Sequence, residues 1–345
     1  MSVVTKLSVQ NIRSHDSFVT DLSPKTTIIT GINGSGKTSL IEAIYIALQG
    51  TSFKGADKDI LRNNKPWWRI DIAFDDDSKR VITFDPSRSS KKQFIIDEKI
   101  NYRMPIKHKY PVVLFEPDDL RLLNGSPTRR RQFIDRFISQ LDPLYSATLH
   151  KYERALKQRN NLLKKPYTQY DELFVWNVAL SEYGAYIIEK RTLFIEQINS
   201  QLNDSYNAIA RSKDFVSVHY SHTSIGDVKQ KLMHEFHAQM ERDKILGNTS
   251  VGPHRHDVIF QFNNSPALSV ASRGEVRTIV LALKFLEVDI IEQITNIKPI
   301  ILLDDVFSEL DSKRQEQLLN SDNQTIITTT HKPITKNEYQ EIIIK

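Results

Sequence analysis

The segment that most constrains this chain is Gly31–Thr38, which reads GINGSGKT and follows the pattern G-x-x-x-x-G-K-[ST]. The short β-branched run Thr26–Thr30 precedes it, and Lys37–Leu48 follows with apolar residues at helical spacing. A strand, a glycine-rich loop and a helix in this order wrap backbone N–H groups around phosphate at a helix N-terminus. We therefore expect a nucleotide-phosphate site in an α/β fold, and a glycine-rich turn without ligand is the less favoured interpretation.

Two side chains of this loop have expected roles. Lys37 is predicted to reach the β- and γ-phosphates, and Thr38 to ligate Mg²⁺, so that ATP and Mg²⁺ are the expected cofactors. The predicted cofactor-binding residues of the loop are Gly31, Ile32, Asn33, Gly34, Ser35, Gly36, Lys37, Thr38 and Ser39.

A second feature is the apolar run from Pro299 to Leu303, which ends in the carboxylates of Asp304 and Asp305. This pattern is typical of a buried parallel strand that brings acids to its carboxyl end, where ligands bind. We expect Asp304 to hold the magnesium and Asp305 to orient or deprotonate the attacking water, with Lys37 completing the catalytic set. An aspartate-rich turn capping the next helix is the alternative.

The tetrapeptide Ser272–Glu275 precedes a predicted helix that extends to about Ile294. A serine hydroxyl and free amides at a helix N-terminus suit an anion, so Ser272, Gly274 and Glu275 are further candidates for nucleotide binding. Ser272 as a plain N-cap is the alternative. The tetrapeptide precedes the paired acids by about one helix and one strand, which is the order of the signature motif and Walker B in ABC ATPases.

Strand-like and helical patterns alternate at both ends of the chain, whereas residues 128–241 have mainly helical periodicity. The expected strands, besides those at the two motifs, are Val3–Val9, Trp68–Phe74, Arg80–Phe84, His254–Phe262 and Thr325–Thr330, and a short helix is expected at Lys313–Leu319. The predicted fold is an α/β, ABC/SMC-like P-loop head formed by both chain ends with an inserted helical subdomain. We divide it into an N-terminal lobe (1–110), a helical arm (111–245) and a C-terminal part of the head (246–345).

Positive charge is concentrated in residues 127–165, which hold ten Lys or Arg against three acidic residues, although the whole chain has a net charge of only +5. Such a segment can face a polyanion, and a solvated helix face is the alternative. The candidates for DNA contact are Arg129, Arg130, Arg131, Lys151, Arg154 and Lys157. Neither zinc-finger spacing nor an RNP-type motif is visible, so binding without sequence specificity is predicted.

Cysteine is absent, which excludes disulfides, thiolate metal sites and cysteine nucleophiles. No apolar stretch approaches the roughly 18 residues of a membrane span. We therefore expect a soluble protein of the reducing cytoplasm, without a membrane partner.

Taken together, these motifs resemble the RecF family of bacterial recombination and gap-repair ATPases. The resemblance runs nearly end to end and is also carried by Asn11–Arg13, Phe115–Leu120, Gly125–Arg131, Gly252–Arg255, Leu302–Asp311 and Thr328–Thr330. It departs at His256, where an acid commonly stands, and at Arg273, where glutamine is usual. No glutamine is identified as a Q-loop residue.

The resemblance implies a homodimer that sandwiches ATP, with Ser272 and Gly274 contacting the γ-phosphate bound by the partner. Ser308–Asp311 would form the D-loop, and His331 could sense the γ-phosphate. Arg13 could approach the phosphates, although an exposed arginine is the default expectation.

The resemblance also implies that the ATP-bound dimer binds double-stranded and gapped DNA and hydrolyses ATP slowly as a switch. RecR and RecO are the implied partners in loading RecA. A nucleotide binder that does not hydrolyse ATP remains as an alternative, because the sequence shows the site and not its rate. Two other ABC-type proteins are less favoured alternatives, a transporter subunit and an SMC-like scaffold. The helical insertion is too long for the first, and it is too short for the long coiled coil of the second.

Overall fold

A computed structural model describes residues 3–165, 170–222, 226–307, 315, 322–331 and 338–344. The chain divides into two compact units. The first unit combines Met1–Asp119 with Val288–Lys345, and the second is Leu120–Glu287. Both chain ends therefore build one unit, as expected for an α/β head.

The elements are numbered in chain order over the described residues. The strands are β1 (Val4–Ile12), β2 (His15–Asp21), β3 (Thr26–Gly31), β4 (Trp68–Phe74), β5 (Lys79–Phe84), β6 (Gln93–Ile96), β7 (Lys99–Asn101), β8 (Val112–Phe115), β9 (Val216–Tyr220), β10 (Val258–Phe262), β11 (Ser265–Pro266), β12 (Ile300–Asp304), β13 (Thr325–Thr329) and β14 (Gln340–Ile344). The α-helices are α1 (Lys37–Gln49), α2 (Asp57–Ile60), α3 (Pro127–Leu141), α4 (Pro143–Leu163), α5 (Tyr170–Ala210), α6 (Val228–Ala238), α7 (Met240–Leu246), α8 (Ala267–Val270) and α9 (Arg273–Thr295).

A parallel sheet in the order β14-β3-β13-β12-β8 forms the base of the first unit. Every residue of β12 and β13 is buried, which explains why both strands read as continuous β-branched and leucine runs. Because parallel strands end at the same edge, Gly31 of β3, Asp304 of β12 and Thr329 of β13 all lie at the carboxyl edge of this sheet.

An antiparallel sheet in the order β2-β1-β4-β5-β6-β7 forms the other layer of this unit. Its strands alternate between a buried face, which includes Trp68, Ile70 and Ile82, and a more accessible face. Helix α1 contacts strands of both sheets and is buried along nearly its whole length. The helix that follows the glycine-rich loop is thus fixed inside the core of the unit.

The second unit is largely helical and is organised by the 41-residue helix α5, which contacts α3, α4 and α6. Phe133, Phe137 and Phe194 pack edge to face within it. Two arginines are buried there with carboxylate partners, Arg159 with Asp243 and Arg191 with Asp135. A small antiparallel sheet, in the order β11-β10-β9, completes the unit.

The structure corrects two parts of the expected pattern. Strand β9 lies in the region expected to be helical, because its five residues pair with β10 along their full length and this pairing overrides the helical periodicity of the surrounding sequence. The units also divide elsewhere than the three expected ranges: β8 pairs with β12 in the parallel sheet, and residues 246–287 group with the helical region. The expected helix Lys313–Leu319 and the expected D-loop Ser308–Asp311 lie outside the described residues, apart from Gln315. Among the helices that are described, none is both long and apolar enough to cross a membrane.

Candidate nucleotide site

The predicted phosphate loop joins β3 to α1 through a left-handed backbone. Gly34 has φ +84° and Gly36 has φ +98°, a region that L side chains rarely adopt. A Cβ on Gly36 would also collide with the side chains of Ser14 and His15, and His15 Nε2 lies 3.1 Å from the carbonyl oxygen of Gly36. The glycine at this position is thus required both by conformation and by close packing.

Inside the loop, Lys37 is only 6% exposed, and its Nζ donates to the carbonyl oxygens of Gly31 at 2.8 Å and Ile32 at 3.0 Å. The hydroxyl of Ser35 is buried and has no hydrogen-bond partner among the described residues. An orphaned buried hydroxyl is uncommon, and its place in a loop of amide donors fits an anionic ligand.

Beneath the loop, the carboxylate of Asp304 is fixed by two hydroxyls. Its Oδ1 accepts from Thr38 Oγ1 at 2.7 Å and from Thr328 Oγ1 at 3.0 Å, and Asp304 is 2% exposed. Thr38 is the second residue of α1 and Asp304 is the last residue of β12, so the sheet edge brings together residues 266 positions apart. This contact unites the two predicted metal ligands.

These oxygens fit magnesium, which usually takes one or two protein oxygens and fills its other positions with water and phosphate. The described residues contain no cluster of three or more His, Cys, Asp or Glu suited to a metal. Lys54 Nζ lies 3.5 Å from Asp304 Oδ2, so a protein cation already balances the buried charge.

Asp305 has φ +55°, an uncommon conformation for a residue other than glycine. Its N–H group donates to Thr328 Oγ1 at 3.0 Å and to the Thr328 carbonyl oxygen at 3.2 Å. A cavity of about 300 Å³ is lined by Arg13, Ser14, Asn33, Gly34, Gly36, Lys37, Thr38, Ser39 and Asp305. The turn after β12 therefore places Asp305 beside the phosphate loop.

Arg13 also lines this cavity and is not the exposed arginine of the default expectation. Its backbone has φ +45°, and its guanidinium pairs with Glu42 of α1, at 3.0 Å from Nη2 to Oε1 and 2.8 Å from Nε to Oε2. Glu42 is fully buried and also accepts from Ser52 Oγ at 2.5 Å. The pair holds the arginine at the rim of the loop.

The predicted signature residues lie in the second unit, at the start of α9. The Ser272 N–H donates to Glu275 Oε2 at 2.6 Å, and the Glu275 N–H donates to Ser272 Oγ at 3.3 Å. This reciprocal pair is a capping box, so Ser272 is the N-cap of α9. Ser272 and Gly274 are nevertheless exposed, and a Cβ on Gly274 would meet only Ser272 Oγ, at 3.9 Å.

The six basic candidates for DNA contact fall into two groups. Lys151, Arg154 and Lys157 are exposed along one side of α4. Arg130 instead makes two hydrogen bonds to Asp257, at 2.8 and 2.7 Å, and donates to the carbonyl oxygens of Leu123 and Gly125. Burial raises the pKa of the Asp257 carboxyl, but the hydrogen bonds from Arg130 help to reverse this and the pKa is lowered, so the pair stays ionised.

The neighbours of Arg130 are also partly enclosed. Arg131 donates to the His256 carbonyl oxygen at 2.6 Å and to Thr128 Oγ1 at 2.9 Å, and Arg129 is half-buried. Arg130 and Arg131 thus hold the start of α3 to the loop before β10. Of the predicted set, the exposed face of α4 is the better candidate for a polyanion.

Sequence reasoning missed Lys54, Glu42 and His15 as parts of the site. None belongs to a phosphate-binding pattern, and each is brought to the loop by tertiary packing. His331 follows β13 and is exposed, with its N–H group donating to Thr329 Oγ1 at 3.3 Å. It therefore lies just beyond the same sheet edge as Asp304.

A parallel sheet whose edge joins a phosphate loop to a Walker B aspartate, with a capped signature helix in an inserted helical unit, defines an ABC/SMC-type ATPase head. The comparisons with solved structures agree with this class. An SMC head bound to the C-terminal winged-helix domain of ScpA is 15% identical, with a TM-score of 0.52 over 95% of this chain and 90% of that one, which shows the fold alone.

Comparisons with sequence relatives identify the family within this class. Residues 3–344 match the family described as RecF/RecN/SMC N terminal domain. The DNA replication and repair protein RecF of Lachnoclostridium phytofermentans is 35% identical over 95% of this chain and 92% of its own length. The RecF protein of Clostridium acetobutylicum is 34% identical over 95% and 92%, respectively. The chain belongs to the RecF family.

A solved structure of the recombination mediator protein RecF with ATP, in the RecFOR pathway, is 27% identical and superimposes with a TM-score of 0.88. It covers 97% of this chain and 94% of its own.

Proposed function

We propose that this chain is an ATP-dependent DNA-binding protein of recombinational gap repair, in which slow ATP hydrolysis switches a homodimer between DNA-bound and free states. The observation that carries the proposal is the 2.7 Å contact between Thr38 Oγ1 and Asp304 Oδ1 beneath the glycine-rich loop. It supports the proposal because a hydroxyl and a carboxylate hold nucleotide-bound magnesium in P-loop ATPases.

In this proposal, the loop amides from Gly31 to Ser39 surround the phosphates, and Lys37 exchanges its loop carbonyl partners for β- and γ-phosphate oxygens. Thr38 and Asp304 hold magnesium, which neutralises charge on those oxygens when bound. Asp305 orients the attacking water or accepts its proton. The Arg13–Glu42 pair adds a positioned cation at the rim of the loop.

The signature residues act on the nucleotide of a second copy of the chain. Ser272, Gly274 and Glu275 are at an exposed helix N-terminus, and such a terminus attracts phosphate through its free amides and its dipole. His331 is the proposed γ-phosphate sensor. ATP then joins two heads, and hydrolysis releases them.

The dimer binds double-stranded and gapped DNA through phosphates, without sequence specificity. Lys151, Arg154 and Lys157 are the primary contacts, because Arg129, Arg130 and Arg131 are more enclosed. RecR and RecO are the proposed partners, and loading of RecA is the proposed outcome. The names of the relatives support this placement, since they describe RecF as a recombination mediator of the RecFOR pathway.

The test measures sedimentation and binding to gapped duplex with and without ATP and Mg²⁺. The wild-type chain is compared with Lys37→Met, which removes the phosphate contact, and Ser272→Arg, which blocks the signature surface. We expect an ATP-dependent dimer that binds gapped duplex, and loss of both properties in each variant. ATP binding without dimer or DNA affinity would leave the head assignment intact and refute the DNA switch.

A salt series locates the DNA surface. Replacing Lys151, Arg154 and Lys157 by glutamine should reduce the slope of log affinity against log salt by about one for each DNA phosphate that the variant no longer neutralises. The matched control removes three exposed lysines of the first unit, Lys79, Lys99 and Lys107. An equal reduction in the control would show that only net charge matters.

A further inference from the structure

The carboxylate of Asp304 faces a protein cation at the oxygen that a metal would use. Its Oδ1 accepts from the hydroxyls of Thr38 and Thr328, at 2.7 and 3.0 Å, whereas its Oδ2 lies 3.5 Å from the ammonium of Lys54. A metal that binds through Oδ2, either directly or through a water ligand, would meet this ammonium, and like charges repel at such distances. Lys54 and magnesium therefore compete for one oxygen of Asp304.

Lys54 lies in the loop between α1 and α2, and the backbone of this loop is fixed. Ser52 Oγ accepts from the N–H groups of Lys54 and Gly55, at 2.9 and 3.1 Å, and donates to the buried carboxylate of Glu42. The neighbouring Phe53 packs against the hydrophobic core of the first unit. Because the backbone is held on both sides of Lys54, removal of its ammonium from Asp304 requires only rotation of the lysine side chain.

The two partners of this ion pair differ in their access to water. The side chain of Asp304 is 3% exposed and that of Lys54 is 36% exposed. A carboxylate so enclosed is costly without a nearby cation, whereas a lysine ammonium on a flexible stem can turn into water at little cost. The other lysine of the site, Lys37, is 6% exposed and donates to loop carbonyl oxygens instead. Lys54 is thus the movable partner of a fixed carboxylate.

We propose that Lys54 is a positioning residue that takes the place of magnesium at Asp304. It balances and orients the carboxylate while no metal is bound, and it turns towards solvent when magnesium arrives with the nucleotide. This inference rests on the part of the proposed function that places ATP and magnesium at this site, and it adds a residue that sets the strength of metal binding. It requires neither dimerisation nor DNA nor hydrolysis.

The exchange links two measurable quantities. If the pair between Lys54 and Asp304 exists only without the metal, its free energy stabilises the metal-free chain and opposes metal binding by the same amount. We expect an effect of about fivefold, which corresponds to about 1 kcal/mol, the upper end of the range for an ion pair with an exposed partner.

The first experiment measures the affinity of the full chain for ADP by isothermal titration calorimetry, with and without Mg²⁺. ADP is the probe because it has no γ-phosphate for a second copy of the chain to contact. Lys54→Gln should make the gain in ADP affinity caused by Mg²⁺ about fivefold larger than in the wild-type chain. Lys54→Arg keeps a cation and should retain the wild-type gain. Lys58→Gln, which removes an exposed lysine of α2, is the control for the change in charge.

Thermal unfolding gives a second readout that a merely structural role would not produce. Lys54→Gln should lower the midpoint of the nucleotide-free chain, and saturating Mg²⁺ and ADP should abolish the difference from wild type, because Lys54 is then released in the wild-type chain as well. In an Asp304→Asn background, Lys54→Gln should cause no further loss, since the carboxylate that it balances is gone. An equal loss with and without Mg²⁺ and ADP would contradict the exchange.

The calorimetric result separates this inference from the proposed function. An unchanged Mg²⁺ dependence in Lys54→Gln, or an equal change in Lys58→Gln, would overturn the inference and leave the nucleotide site intact. ADP binding weakened by the same factor with and without Mg²⁺ would also overturn it, because Lys54 would then contact phosphate. A wild-type chain that bound neither ADP nor ATP would refute the proposed function together with this inference.

Discussion

Replacing Asp243 by asparagine removes the carboxylate that faces the guanidinium of Arg159 in the interior of the second unit. Both residues are 0% exposed, and Arg159 Nη1 donates to Asp243 Oδ2 at 2.7 Å. The asparagine retains an acceptor for the N–H group of Ser250, now 2.9 Å from Asp243 Oδ1, but it leaves the arginine without a counter-charge.

The remaining contacts of Arg159 set the size of the loss. Its Nη1 also donates to Thr249 Oγ1 at 2.8 Å, its Nε donates to Asn177 Oδ1 at 2.7 Å, and the guanidinium lies 5.3 Å from the ring centroid of Phe236. These neutral partners solvate the cation without neutralising it. Breaking a buried pair costs about 3–5 kcal/mol, and we expect Asp243→Asn near the lower end, about 3 kcal/mol.

The assay is urea unfolding of Asp243→Asn, Arg159→Met and the double variant, followed by circular dichroism and by tryptophan fluorescence, since Trp176 lies on α5 next to Asn177. The two probes must give coincident transitions before a free energy is derived, because the chain has two units. The double variant should lose much less than the sum of the single losses, because it leaves no unpaired charge. A loss below about 1 kcal/mol in Asp243→Asn, or additive losses, would refute the reasoning.

Three further predictions concern the loop, the signature helix and pH. Gly36→Ala should lower thermal stability and nucleotide affinity together, since a left-handed backbone at a non-glycine residue costs about 1–3 kcal/mol and the new methyl would collide with His15; normal affinity would contradict it. Ser272→Ala should cost about 1 kcal/mol by loss of the cap, whereas Ser272→Asp should keep the cap and still abolish ATP-dependent dimerisation, as measured by unfolding and sedimentation. Burial lowers the pKa of His254 to about 4 and of His256 to about 3, so both stay neutral in the folded chain while the unfolded histidines take up protons below about pH 6.5. The contribution of the two neutral histidines to the free energy of unfolding is therefore fully present above about pH 6.5. It should fall towards pH 4 by up to about 1.4 kcal/mol per pH unit for each histidine. Equal urea midpoints at pH 7 and pH 5 would contradict this prediction.

The phosphate loop and the strand of the paired acids could be predicted because their determinants are local. Gly34 and Gly36 specify the left-handed turns, and the apolar run before Asp304 specifies a strand buried on both faces. Because both strands are parallel members of one sheet, their carboxyl ends lie at the same edge, so the patterns place Thr38 and Asp304 on one edge. Their direct contact depends also on the strand order, with β13 between β3 and β12, which the patterns do not specify.

Other parts of the structure depend on partners that lie far away in the sequence. Lys54 lies in a loop that has no periodic pattern, so its contact with Asp304 could not be predicted. The sequence around Arg130 suggests an exposed charge, and only the structure shows its ion pair with Asp257. Strand β9 has too few residues to be distinguished from its helical surroundings before β10 pairs with it. Charge and hydrophobic periodicity describe a single segment of the sequence, whereas each of these features arises from contact between two distant segments.

The observed N-cap role of Ser272 is compatible with the binding role that we propose for the same side chain. A hydroxyl has two acceptor lone pairs and one donor hydrogen, and the cap of α9 uses an acceptor, since the Glu275 N–H donates to Ser272 Oγ. The hydrogen of the exposed hydroxyl stays available for a phosphate oxygen. An aspartate carboxylate can supply the acceptor, but it carries no hydrogen and adds a negative charge at the position proposed for the phosphate. The helix cap therefore fixes the position of the hydroxyl oxygen and leaves its hydrogen available, and the two variants of Ser272 separate the capping role from the binding role that we propose.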